Sequence, residues 1–93
     1  MTAIRIEPVV ENLSPQLSDE LGFGRQFTDR MFMHRYSERE GWGEPTIGAY
    51  QSLVVDPAAA ALHCGQMVFD GTKAYRRSDG DLNLFRAEQN CRR

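Results

Sequence analysis

Few side chains in this 93-residue sequence can carry covalent chemistry, and their number and spacing limit which reactions are open to them. The only lysine is Lys73, in the run TKAYRR. A lysine amine becomes a nucleophile toward carbonyl compounds when its surroundings hold it unprotonated. In this polar, basic run Lys73 reads instead as a strand residue with a solvated or ion-paired amine. The two cysteines, Cys64 and Cys91, stand 27 positions apart with no second pair. That spacing suits neither a disulfide scaffold nor a zinc knuckle, and both read as reduced thiols. His34 and His63 have no second metal ligand three or four positions on, so the histidines carry no metal motif. No GxxxxGK or GxGxxG loop and no Ser/His/Asp order is present, and LGFG at 21–24 has too few glycines to cradle a nucleotide. Arg92 and Arg93 close the sequence. A guanidinium offers a forked, permanently charged donor set suited to a phosphate dianion, although an arginine at a chain end is by itself most simply a solvated one.

The elements that must position these groups follow from composition and order. At 41% hydrophobic and 26% charged residues, the chain has the make-up of one small domain with a core. Eleven basic against 13 acidic residues, a net charge of −2, argue against nucleic acid as a partner, because phosphate neutralisation needs a basic excess on one face. No run of about 18 apolar residues is found, and MTAIRIEPVV at the start lacks the apolar stretch of a secretory signal, so the expectation is a cytoplasmic protein without membrane association.

Residues 1–20, with Pro8, Pro15 and no sustained period, read as an extended, loosely held arm. FTDRMFMHRY at 27–36 reads as a strand with Met31 and Met33 on one face and Phe32 on the other. The charged, glycine-broken SEREGWGEP reads as a loop before a second strand over 46–55, with Trp42 packing as an anchor over a sheet edge. Asp56-Pro57-Ala58 is a helix start, with Asp as N-cap, Pro in the first turn and alanines following. The predicted helix carries an apolar stripe of Ala60, Cys64, Met67 and Val68 and stops at Gly71. Asp79-Gly80 predicts a hairpin between 72–77 and 81–86. AEQNCRR then starts a short, marginal helix, and the sequence reads as cut from a longer one.

Taken together, LGFGRQFTDRMFM (21–33), GWGEPTIGAYQSLVVDPAAAALHCGQMVFDGTKAYRRSDGDLNLFR (41–86) and AEQNCRR (87–93) resemble the N-terminal part of the branched-chain amino acid aminotransferases, fold-type IV enzymes dependent on pyridoxal phosphate. An ordered series of blocks in one register is far more specific than any lone motif. The resemblance implies an α+β fold: a small N-terminal domain over 21–93, built of antiparallel strands with one or two helices, with the larger C-terminal domain of the family absent.

Residue by residue, the resemblance implies that Arg93 binds the phosphate of pyridoxal phosphate. It implies that Phe69 packs on an aliphatic substrate side chain, that the Gly71 backbone lies beside the substrate, and that Phe23 closes the pocket. Cys64 stands where the family usually has a tyrosine that looks across the dimer interface toward the partner's substrate pocket, and a thiol supplies neither that ring nor that hydroxyl. Asp70 replaces the glutamate of the usual FEG. Lys73 belongs to the KAYR strand and is not the Schiff-base lysine, which the family places in its later portion.

The implied reaction moves an amino group between leucine, isoleucine or valine and 2-oxoglutarate, in a homodimer. The chain alone is expected to be inactive and to bind the cofactor weakly if at all. Two other readings stand beside this one: a noncatalytic α+β interaction module derived from the fold, and another class IV enzyme, such as a D-amino acid aminotransferase or an aminodeoxychorismate lyase. The long FTDRMF strand and the GWGEP loop look like the branched-chain group and speak against the second of these.

Overall fold

The computed structural model describes residues 3–8 and 18–92. Most of the second half of the predicted arm, and Arg93, lie outside the described residues. The chain divides into two units, Met1–Val54 and Val55–Arg93. The architecture is α+β, with short strands and two short helices, as the resemblance implied.

The first unit holds β1 (Arg5–Ile6), β2 (Arg30–Met33), β3 (Tyr36–Ser37), β4 (Gly41–Trp42) and β5 (Thr46–Ala49). In β2 the predicted alternation is present: Met31 and Met33 are half-buried and Arg30 and Phe32 exposed, the two-residue period of a strand with one covered face. β2 pairs antiparallel with β5, with Phe32 opposite Ile47. The ladder is prolonged by the Tyr50 N–H donating to the Asp29 carbonyl at 2.8 Å, beside the stacked rings of Phe27 and Tyr50.

The second predicted strand is shorter than expected, four residues of the ten, because the sheet partner runs out with β2. β1 adds a third strand, parallel to β5, with the Arg5 and Glu7 N–H groups donating to the carbonyls of Pro45 and Ile47. The predicted 37–45 loop is itself a small hairpin of β3 and β4, in which Gly41 takes the left-handed φ of +73°. Trp42 is 65% exposed, and its ring meets those of His34 at 4.5 Å and Tyr36 at 5.2 Å between centroids.

The second unit holds α1 (Ala60–His63), β6 (Ala74–Arg76), β7 (Leu82–Leu84) and α2 (Ala87–Cys91). The helix predicted to run from Asp56 to Gly71 is four residues long. Asp56 does accept from the Ala58 N–H at 2.7 Å, ordering a turn ahead of the helix, but the chain leaves the helix at Cys64 and turns at Gly65 with φ +61°. Gly65, and not Gly71, is the helix stop, because a left-handed residue directly after the C-cap ends the ladder and glycine takes that conformation without a Cβ penalty. Met67 and Val68 therefore lie beyond the helix, and no apolar stripe forms. β6 and β7 make the predicted hairpin, with Tyr75 opposite Asn83. Its turn is closed by the Gly80 N–H donating to the Arg77 carbonyl at 3.1 Å, and only Gly80 of the Asp-Gly pair has a positive φ, the pattern of a turn followed by a glycine bulge.

Among the described residues, Pro45 alone is buried, and no large apolar side chain is. Twenty large apolar side chains are at least half exposed. Much of the apolar surface of the described residues is therefore open.

Candidate functional site

Of the residues that the resemblance marks for the substrate, Cys64, Phe69 and Gly71 lie in the second unit between α1 and β6, whereas the cofactor residue Arg93 lies outside the described residues. Cys64 caps α1 and is exposed, with its Sγ 3.0 Å from His63 Nδ1. His63 Nε2 lies 2.9 Å from the Ala58 carbonyl, which can only accept. The imidazole therefore carries its proton on Nε2 and accepts the Cys64 thiol proton on Nδ1. Residues 65–73 after it belong to no helix or strand.

Phe69 and Gly71 flank Asp70 on this segment, and the Phe69 ring is 81% exposed. One carboxylate oxygen, Asp70 Oδ1, accepts both the Gly71 N–H at 2.7 Å and the Asn90 side-chain N–H at 2.8 Å. Asn90 also donates to the Gly71 carbonyl at 2.9 Å. The aspartate, one methylene shorter than the glutamate of the family, thus turns its oxygen back onto its own backbone, where an amide from α2 meets it. A carboxylate acceptor makes this contact stronger than a neutral pair. Nothing lies within 4 Å of where a Cβ on Gly71 would stand, so its surroundings in this chain leave room for a side chain.

Lys73 follows two positions later, with its ammonium 5.0 Å from the centroid of the Tyr75 ring, a cation–π contact on the open hairpin. It has neither the burial nor a neighbouring base that activates a lysine nucleophile.

Phe23 belongs to the first unit. It sits 84% exposed between Gly22 and Gly24, both left-handed, at φ +65° and +64°. The loop is tied at its base by Gln26, whose side-chain amide donates to Ser18 Oγ at 2.8 Å and to the Glu20 carbonyl at 2.9 Å and accepts from the Ser18 N–H at 3.0 Å.

Within the second unit, then, the structure joins Asp70 and Gly71 to α2 through Asn90 and leaves Cys64 with His63 at the end of α1. Two residues in these arrangements, Asn90 and Gln26, were not singled out by the sequence. Asn90 did leave a trace, as a middling helix former inside a helix too short to stand by itself. Gln26 left none. Among the described residues no group of three His, Cys, Asp or Glu side chains is placed to hold a metal, and no helix is long and apolar enough to cross a membrane.

No family model matches the chain. Individual proteins do. It is 51% identical over 73 residues to the branched-chain-amino-acid transaminase 1 of Bacillus subtilis, covering 78% of this chain and 20% of that protein. It is 44% identical over 90 residues to branched-chain-amino-acid aminotransferase 2 of the same organism, covering 97% of this chain and 25% of that protein. The cytosolic branched-chain-amino-acid aminotransferase of Saccharomyces cerevisiae is 37% identical over 90 residues, again 97% of this chain and 24% of the relative. The chain thus spans a quarter or less of the length of these relatives.

Proposed function

Starting from a sequence homologous to the N-terminal portion of the branched-chain aminotransferases, we propose that this chain forms one wall of an aminotransferase site and is inactive without the rest of that site. The observation that carries this reading is the 90-residue match at 44% identity, which covers 97% of this chain. The reaction is amino transfer between leucine, isoleucine or valine and 2-oxoglutarate, in a cytoplasmic homodimer. Pyridoxal phosphate, when bound, supplies the electron sink for that transfer.

This chain's part is binding and shape. Arg93 pairs with the cofactor phosphate, as a forked guanidinium suits a dianion. Phe69 and Phe23, both exposed, offer aromatic surface to an aliphatic substrate side chain. Gly71 presents backbone beside the substrate. Cys64, in place of the family's tyrosine, leaves a smaller and softer wall. The covalent lysine comes from outside these residues, since Lys73 is exposed, with its ammonium over the Tyr75 ring just ahead of β6.

A noncatalytic interaction module is the second reading, and the twenty half-exposed apolar side chains favour it as far as they go. One experiment separates the two. Residues 1–93 replace the matching residues of the B. subtilis aminotransferase 2, and the chimera is assayed with leucine, isoleucine and valine. Activity with all three is expected, and a folded but inactive chimera sinks the aminotransferase reading. In parallel the 93-residue chain is titrated with pyridoxal phosphate, reduced with borohydride and mapped by mass spectrometry. No saturable adduct is expected; one on Lys73 would overturn the role given to that lysine.

A further inference from the structure

We infer that Asn90 is a positioning residue, whose side-chain amide clamps residues 70–71 to α2 and so fixes the Gly71 backbone that faces the substrate in the proposed site. The functional meaning of the clamp rests on the aminotransferase reading, whereas its existence does not.

An asparagine amide has two N–H donors, and Asn90 places both on acceptors 19 and 20 positions earlier, the Gly71 carbonyl and Asp70 Oδ1. Both ends of this link need it. The segment at 65–73 has no ladder to hold it, being neither helix nor strand. α2 is five residues long, lacks a side-chain N-cap, and starts from Arg86 in the left-handed region at φ +47°. So short a helix does not form from its own backbone bonds and needs a tertiary attachment. Asn is also a residue whose side chain competes with the backbone when it has no partner elsewhere, so a donor pair aimed across the unit marks the position as one with a task.

The reach of the carboxylate is part of the arrangement. Asp70 Oδ1 receives the Gly71 N–H and the Asn90 N–H together, so the acid chain length and the amide at 90 are matched to each other. The clamp is therefore a donor–acceptor pair with a definite polarity, and that polarity can be reversed.

The test is amide hydrogen exchange by NMR on the ¹⁵N-labelled 93-residue chain, with Asn90→Ala, Asn90→Asp and the double variant Asp70→Asn/Asn90→Asp. Asn90→Ala is expected to speed exchange at residues 69–71 and 87–92 by roughly tenfold while leaving β6 and β7 unchanged, since two hydrogen bonds are lost and none in the hairpin. Asn90→Asp sets two carboxylates at hydrogen-bond distance, which close only when they share a proton. Protection is expected to be lost at pH 7 and regained on acidification, a pH profile that a merely space-filling asparagine would not produce. Glu88 and Arg92 flank the position on α2 and are the same in every variant. The double variant restores a donor facing an acceptor between residues 70 and 90, but not the bond to the Gly71 carbonyl, and so recovers part of the protection at pH 7.

Exchange at 69–71 that is unchanged in Asn90→Ala, that is already unprotected in the native chain, or that rises equally in β6 and β7 overturns the clamp. Loss of the clamp with an active chimera refutes this inference alone. A clamp present with an inactive chimera refutes the aminotransferase reading alone.

Discussion

Ser18 and Gln26 hydrogen-bond to each other in both directions, the Ser18 N–H donating to Gln26 Oε1 at 3.0 Å and Gln26 Nε2 donating to Ser18 Oγ at 2.8 Å. Between them the chain makes a loop whose tip is Phe23, with a left-handed glycine on each side. The loop is thus closed at its base by one side chain and carries an exposed ring at its tip.

Gln26→Ala removes the donor and the acceptor that close this loop. At about 0.5 kcal/mol for each of the three exposed hydrogen bonds that tie the loop, local opening should become roughly tenfold more frequent. Limited proteolysis by chymotrypsin at Phe23 reads this directly. Cleavage should accelerate by that factor with the β2–β5 ladder still protected from exchange; an unchanged cleavage rate would show that the glycines alone hold the loop.

Arg86 is the only described residue other than glycine with a positive φ. The left-handed region costs a residue with a Cβ about 1–2 kcal/mol, and the cation–π contact of its guanidinium with Phe85 returns part of that. Arg86→Gly and Arg86→Ala both lose the contact, but only glycine relieves the backbone. The glycine variant should be the more stable of the two by about 1 kcal/mol in denaturant melts. Equal stability would mean that Arg86 does not hold this conformation in solution.

Asp56→Ala removes the acceptor for the Ala58 N–H ahead of α1. The N-cap of α1 is Ala59, without a side-chain bond, and not Asp56 as expected, but loss of the Asp56 bond in the preceding turn costs about 1 kcal/mol, which a four-residue helix cannot absorb. Exchange at residues 58–64 should rise toward the unprotected rate while the 74–84 hairpin keeps its own, and Asp56→Asn should behave like the native chain.

With twenty large apolar side chains at least half exposed, the 93-residue chain by itself should bind the dye ANS and melt over a broad range without a sharp transition. A narrow, cooperative melt without dye binding would mean that these faces find cover in solution, and sedimentation would then show whether a second copy supplies it.

What could be read beforehand was local. The Met31/Met33 alternation and the Asp79-Gly80 turn each concern neighbours in sequence, and both elements are present. The alanine run promised a long helix because propensity is summed over residues, whereas a single glycine that turns left-handed ends one; Gly65 outweighed the residues around it. The two-residue strand at Arg5 and Ile6 is too short to show a period, and its partner is far away in sequence. The Asn90–Asp70 bond spans 20 positions, and no local pattern encodes it. Phe23, Phe69, Gly71 and Arg93 became candidates through family resemblance alone, since as isolated residues they look like surface aromatics, a loop glycine and a chain-end cation.

The parallel pairing of β1 with β5 has a consequence in time. Arg5 meets Thr46, made 41 positions later. At a synthesis rate of roughly 5–20 residues per second, β1 waits about 2–8 s for its partner to be polymerised at all. Throughout that wait Ile4 and Ile6 are apolar side chains on a nascent chain with no strand to join. β5 is the middle strand of its sheet, so the antiparallel half that it forms with β2, from a shorter stretch of sequence, assembles first and serves as the template. Within this sheet the strand made before its two partners is in this way the last to take its place.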